Sequence, residues 1–255
     1  MRTYAQISYA QLGIALVLMA VTLALSRLEK LDLEKDLLLA TFRSFVQLMA
    51  VGYVLEAIFH TEKWYWVLLT LGVMTVVAGR TAARRSKDIP NSGWIAILSV
   101  GIGGLGTLGV LVGLGIIKAS AWYVIPISGM ILGNSMNATT IAMNRISGEI
   151  KLRRAQIETA LSLGATSRQA VDPALKAAAK AAMIPNINSM MTVGIVSLPG
   201  MMTGQIIAGQ PPTEAVRYQI VVVYMITAAV TVAGLSAALL SYRQFFTKEH
   251  QLIGE

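Results

Sequence analysis

Seven stretches of this chain are apolar and long enough to be read as membrane-crossing helices, and they leave few alternatives for its fold. A bilayer core about 30 Å thick takes roughly 20 apolar residues wound as a helix. The stretches run over Ile7–Leu25, Leu37–Phe59, Trp64–Gly79, Trp94–Ile117, Trp122–Met143, Met183–Ala208 and Gln219–Ser241. Hydrocarbon offers no water to backbone N–H and C=O groups, so segments of this length must satisfy them as helices. The expected fold is therefore all-α and polytopic, with about seven transmembrane helices. Composition agrees: 55% of residues are hydrophobic and 13% charged, against about 45–50% and about 25% in soluble domains. Intrinsic disorder needs the opposite balance and is excluded. Trp64, Trp66, Trp94 and Trp122 lie at or near the ends of stretches, where amphipathic rings anchor at the interface. The first stretch does not read as a cleaved signal peptide, because its basic cluster follows the apolar run.

The formal charge of +8 would suit nucleic acid if the basic residues formed one patch. They fall instead between apolar stretches. The loops after stretches one, three, five and seven carry Arg27, Lys30 and Lys35; then Arg80, Arg84, Arg85 and Lys87; then Arg145, Lys151, Arg153, Arg154, Arg168, Lys176 and Lys180; and finally Arg243 and Lys248. The other side has Arg2, Lys63, Lys118 and Arg217. The positive-inside bias predicts an external N-terminus and a cytoplasmic C-terminus. Topology thus accounts for the charge, and no nucleic-acid partner is expected. With no cysteine in the chain, no disulfide or thiolate metal site can form.

Residues 144–182 make a basic, alanine-rich cytoplasmic loop of helix-forming composition. Within it a helix is predicted to run to Leu163, stop at Gly164, and restart with Thr166 or Ser167 as N-cap. The expected product is a helix–turn–helix elbow. Here the chain resembles the loop by which permeases of ABC transporters dock into a groove on their ATPase. That loop has Glu-Ala-Ala, three residues, then Gly; Glu158, Thr159, Ala160 and Gly164 stand in the corresponding places. An Ile-x-Leu-Pro sequence is expected about a dozen residues after the glycine in importers, whereas Ile184–Pro185 comes later here.

Further motifs carry a closer resemblance. Arg43, Gln47 and Gly52–Leu55 in the second stretch, Ile125–Asn134 in the fifth, Val196–Gly204 in the sixth, Tyr218–Ile220, and the tail Tyr242–Phe246 with His250–Leu252 are similar to the FetB family. That family comprises permease subunits of bacterial iron-exporting ABC transporters, with the plant aluminium-sensitivity membrane proteins related to them. The resemblance spans nearly the whole chain. It implies a homodimeric permease with a separate cytoplasmic ABC ATPase that binds ATP and Mg. It also implies an ATPase-coupling segment containing Glu158, Ala160, Leu163, Gly164, Ala165 and Arg168. No cofactor is expected on this chain itself, and no catalytic residue.

The residues themselves add limits. No G-x-x-x-x-G-K-[ST] sequence is present, so no P-loop is encoded. Gly101, Gly103 and Gly106 satisfy a dinucleotide fingerprint, but within an apolar span small residues are read as helix-packing contacts. The pairs Gly109/Gly113, Gly129/Gly133 and Gly200/Gly204 suggest the same use. The charges inside spans are Arg43 and Glu56; Arg43, with Gln47 one turn on, either serves a substrate path or makes a structural inter-helix hydrogen bond. Asp32 and Asp36 are read as a solvated helix start. Methionines crowd the fifth and sixth stretches, mainly as packing filler, and thioethers suit Cu(I) better than iron. No high-affinity iron site is visible, and the metal ligands, if any, are unknown.

Pro199–Gly200 should kink or unwind the sixth stretch. Broken helices in transporters tend to form substrate sites, so the expected path includes Asn134, Asn137, Ser197, Pro199, Gly200, Met201, Met202 and Gln205 along with Arg43 and Gln47. The whole chain, 1–255, is expected to form one permease domain in the cell (inner) membrane. The main alternative is a stand-alone secondary transporter or channel; a membrane enzyme would need a clustered acid, base or nucleophile that the sequence lacks, and a membrane sensor or scaffold would use the elbow to recruit a cytoplasmic partner without transport.

Overall fold

The computed structural model describes residues 9–61, 63–86, 88–247 and 249–253. Of the residues above, Ile7, Arg2, Lys87 and Lys248 lie outside them. The described residues are helical almost throughout, without a β-strand. Ten α-helices follow in order: α1 (Tyr9–Leu28), α2 (Glu34–Thr61), α3 (Trp64–Arg84), α4 (Ser92–Gly113), α5 (Ala121–Leu152), α6 (Arg154–Ser162), α7 (Ser167–Ala170), α8 (Asp172–Thr192), α9 (Gly200–Ile207) and α10 (Pro212–Tyr242). A 3₁₀ turn, Arg243–Phe245, ends the last.

Four segments among the described residues are long and apolar enough to cross a membrane: Glu34–His60, Trp64–Arg84, Ser92–Gly113 and Pro212–Phe245. Leu16–Leu28 in α1 is a shorter apolar helix. The fifth predicted stretch is helical but continues nine residues past Met143 to Leu152, and its apolar character is diluted by Ser128, Asn134, Ser135, Asn137, Thr139 and Thr140. The sixth is corrected: Met183–Ala208 is not one helix. Its first part is the C-terminal half of α8, which starts back at Asp172; residues 193–199 are not helical; and α9 follows.

Contacts divide the chain into two units, one of Met1–Lys63 with Ile207–Gly209 and the other of Trp64–Ile206 with Gln210–Glu255. In the first, α1 pairs with α2, and Ser26 Oγ donates to Glu34 Oε1 at 3.0 Å across the turn between them. Glu34 and Asp36 lie in the first turn of α2, where carboxylates complement the helix dipole. Asp32 precedes it at φ 54°, so the acidic pair stands at a helix start as expected. The most apolar window of α2 is 0% buried within the chain.

In the second unit α10 packs on α4, α5 and α8, and α3 packs on α4 and α5. Small residues make this possible. A Cβ on Gly103 of α4 would sit 2.6 Å from Ala233 Cβ and 2.7 Å from the Ala229 carbonyl oxygen of α10. One on Gly79 of α3 would sit 2.6 Å from the Ile97 Cα. Of the fingerprint glycines Gly103 thus serves close packing, Gly101 comes only within 3.6 Å of the Thr75 side chain, and nothing lies within 4 Å of a Cβ on Gly106; Gly104, between them, is pressed against Leu132. The three spaced pairs do not act as expected: nothing lies within 4 Å of a Cβ built on Gly109, Gly113, Gly133, Gly200 or Gly204, and Gly129 meets only the Met74 side chain at 3.4 Å. Spacing places two glycines on one helix face; only the neighbouring helix makes that face a contact.

The core joins both ends of this unit. Ala138, Ala142, Met143 and Ile146 of α5, Ile157 of α6, Val171, Leu175 and Ala178 near α8, and Ala237 and Ala238 of α10 form one buried cluster, with Tyr242 and Phe246 closing it. The elbow is therefore built onto the same core as the long helices.

Candidate functional site

Two interruptions of the helical chain carry the candidate site. At the first, α6 ends with Leu163, Gly164 takes φ +88°, and α7 restarts from Thr166. Left-handed backbone is tolerated by glycine and strains other residues. Thr166 is a complete capping box: its hydroxyl accepts from the Gln169 N–H at 3.4 Å, and Gln169 Oε1 accepts from the Thr166 N–H at 2.9 Å. Such a box satisfies two otherwise orphaned amides at a helix start. The predicted elbow is present, with its stop and restart at the predicted residues.

The elbow presents a mixed surface. Leu163 is 83% exposed, an apolar knob beside the turn, while Ala160 and Ala165 are half-buried. Glu158 is exposed and accepts from Arg154 Nε at 2.9 Å. Arg168 pairs with Asp172 at 3.1 Å, and Lys176 reaches the other carboxylate oxygen at 2.6 Å. Lys176, and then Arg168, hold the Asp172 carboxyl below its usual range. Behind the elbow is a residue that the sequence reading missed. Glu149 has only 3% of its side chain exposed and lies between Arg153 at 2.6 Å and Arg145 at 2.7 Å. The hydrogen bond from Arg153 lowers its pKa most, with Arg145 adding to it against the cost of burial.

The C-terminal tail braces this structure. His250, at φ +61°, accepts from the Ser167 backbone N–H at 3.4 Å and pairs with its hydroxyl at 2.9 Å through Nδ1. Thr247 donates to the Gln251 carbonyl at 2.9 Å, and Leu252 packs on the core. Lys151 joins the end of α5 to Asp88 at 3.0 Å.

The second interruption lies between α8 and α9. It starts at Val193, six residues before the predicted break at Pro199–Gly200. Gly194 takes φ +85° and donates to the Ser197 carbonyl at 2.9 Å. The Thr192 carbonyl accepts from the amides of Ile195, Val196 and Ser197 at 3.2, 2.9 and 3.4 Å. Pro199 opens α9, its carbonyl accepting from both the amide and the hydroxyl of Thr203. The proline therefore starts a helix, where its missing N–H costs nothing, and the unwinding occurs ahead of it. A second proline, Pro185, sits inside α8.

Beside this break α5, α8 and α10 enclose a cavity of about 310 Å³. Asn134, Asn137, Ser197 and Pro199 line it, and so do Asn186, Ser189, Met190 and Gln219, which the sequence reading did not place there. None of its lining residues is charged. Asn186 Nδ2 donates to Thr227 Oγ1 at 2.9 Å and lies 3.7 Å from Met190 Sδ. An adjoining apolar cavity of about 470 Å³ shares Met190, Val193, Gln219 and Val223, and adds Leu198 and Met202. Gly200, Met201 and Gln205 line neither cavity. Arg43 and Gln47 are exposed on α2, in the other unit. Among the described residues no cluster of three His, Asp or Glu could hold a metal ion.

Comparison with known proteins gives the chain relatives along nearly all of its length. The family described as "Uncharacterised protein family (UPF0014)" matches residues 9–246. The "UPF0014 membrane protein YjkA" of Bacillus subtilis is 39% identical over 96% of this chain and 98% of its own length. The "Probable iron export permease protein FetB" of Escherichia coli is 39% identical over 97% and 95%. "Protein ALUMINUM SENSITIVE 3" of Arabidopsis thaliana is 40% identical over 93% and 87%. No solved structure matches the chain.

Proposed function

This chain belongs to the UPF0014 family of membrane proteins, FetB among them, and from that premise we propose that it is the permease subunit of an ABC transporter that exports iron, another metal ion or a metal complex. A separate cytoplasmic ATPase binds ATP and Mg and supplies the energy; this chain catalyses no bond chemistry. It sits in the cell (inner) membrane with seven spans, an external N-terminus and a cytoplasmic C-terminus. It works as a homodimer over two ATPase subunits.

The observation that carries this reading is the elbow. A helix–turn–helix with an exposed leucine at its corner, 83% accessible, braced from behind by the buried Glu149 carboxylate and its two arginines, is what a rigid docking knob requires. Apolar residues set in a polar rim favour burial against a partner. The elbow leads into α8, whose far end is the break beside the neutral cavity, so motion received at Gly164 has a continuous helix through which to reach the path. The exposed apolar faces of α2 suit lipid and a second copy of the chain.

The test is affinity purification of the tagged chain from its native membrane in mild detergent, beside Gly164→Arg. An ATPase that co-elutes with the wild type and is lost with the variant supports the permease. A wild-type chain that elutes without an ATPase, and transports along an ion gradient, replaces it with a secondary transporter.

A further inference from the structure

We infer that the cavity beside the helix break is an acceptor-lined site, which takes a non-anionic cargo through the cargo's own hydrogen-bond donors: a cation with its water shell, or one inside a hydroxyl- or amine-bearing ligand. The cargo class rests on the permease reading; the chemistry rests on the cavity.

Three amides decide it. Asn134 Nδ2 donates to the Met130 carbonyl at 2.8 Å, which fixes the orientation of that amide, since a carbonyl can only accept. Thr227 has a single hydroxyl proton, and the acceptors around it are the Val223 carbonyl at 2.8 Å and Met190 Sδ at 3.0 Å, neither of which can donate. Asn186 must therefore donate to Thr227 Oγ1 through Nδ2. In both asparagines the protein uses the NH₂ and leaves Oδ1 with no protein donor among the described residues. Gln219, only 8% exposed, has its Oε1 buried with no partner among the described residues, at the boundary of the two cavities. A buried acceptor left unpaired is costly, so a donor-bearing occupant is favoured at that atom.

These oxygens carry no net charge, and the lining adds none. Neutral carbonyls compete poorly with water for a hard cation that dehydrates reluctantly. They accept well from water already polarised by such a cation. Six waters at about 30 Å³ each come to about 180 Å³, which fits a cavity of about 310 Å³. An anionic complex would find no positive charge in this lining to offset the loss of its water.

The test uses the full chain in lipid nanodiscs and cobalt(III) hexaammine, whose ligands do not exchange and present only N–H donors. Titration calorimetry is expected to show saturable binding. Iron(III) citrate, an anion, is expected not to compete, and Gln219→Met is expected to weaken binding at least fivefold. Asn134→Ala, at an exposed position, is expected to weaken it about threefold and carries the test should Gln219→Met fail to elute as a single species. Displacement by Mg²⁺ assigns the site to a hydrated cation, and displacement by sorbitol alone to a hydroxyl-bearing ligand. Fe²⁺ binding without hexaammine binding, competition by the citrate complex, or unchanged affinity in the folded variant overturns the inference. A chain that binds hexaammine yet retains no ATPase keeps the site and loses the permease reading.

Discussion

Gly164 and Gly194 have almost the same backbone, φ +88° and +85°, and each ends a helix, yet the turns they make are unlike. The Gly164 turn is closed by its own neighbours: a capping box at Thr166, ion pairs on either side, and His250 behind it. The Gly194 turn carries no charge, is closed by the backbone carbonyls of Thr192 and Ser197, and lies beside an open cavity. One is a locally encoded, solvated corner; the other is a neutral gap between packed helices. The same dihedral thus serves a solvated corner among charged residues and a break beside a neutral cavity.

The sharpest way to break this contrast is to impose one backbone penalty at both turns. A residue other than glycine in the left-handed region costs about 1–2 kcal/mol, and neither site has an atom within 4 Å of a new Cβ. Gly164→Arg, which adds a long cation to the corner, is expected to abolish ATPase co-elution while the chain still inserts in the membrane. Gly194→Ala is expected to keep the ATPase and lower transport at least fivefold in reconstituted vesicles. If both variants lost the same property, the two turns would not be functionally distinct.

Glu149→Gln is next in size. It removes a charge buried between Arg145 and Arg153 and is expected to cost about 1–2 kcal/mol, read as a lower midpoint of thermal unfolding. Because Arg153 holds its pKa below the ordinary 4.5, the pairing stabilises fully above that value and is lost as pH falls through the lower folded pKa. The wild-type advantage over the variant should therefore vanish in acid and persist at neutral pH. Pro199→Ala sharpens the other side. Its carbonyl still accepts from Thr203, so the fold should hold; a fall in transport is expected, and unchanged transport would remove Pro199 from the moving parts. The smallest effect is expected from Thr166→Ala, about 1 kcal/mol for a lost cap, seen as faster proteolysis at the elbow.

The two turns also differ in how readily the sequence discloses them. Gly164, Thr166 and Gln169 lie within six residues, so a cap and a stop could be read without knowing the rest of the fold. The other break was legible only as a proline: the unwinding lies ahead of Pro199, because Thr192 gathers three amides and lets the chain leave α8 early. Asn186 and Gln219 were missed as cavity residues, since a lone amide in an apolar helix carries no sign of which neighbour it faces. Glu149 looked like one more charge in an Arg-rich run at helical spacing, and only the packing of the core made it buried. The glycines divided similarly: Gly103 and Gly104 became contacts because α10 and α5 lie against them, while the spaced pairs had no helix to meet.

The bond between Ser167 and His250 spans 83 residues. At about 5–20 residues per second of synthesis, the corner leaves the ribosome about 4–17 s before the histidine that braces it. During that interval α8, α9 and α10 must be made and delivered to the membrane. The corner can therefore be braced only in a chain whose last long helix has already been made.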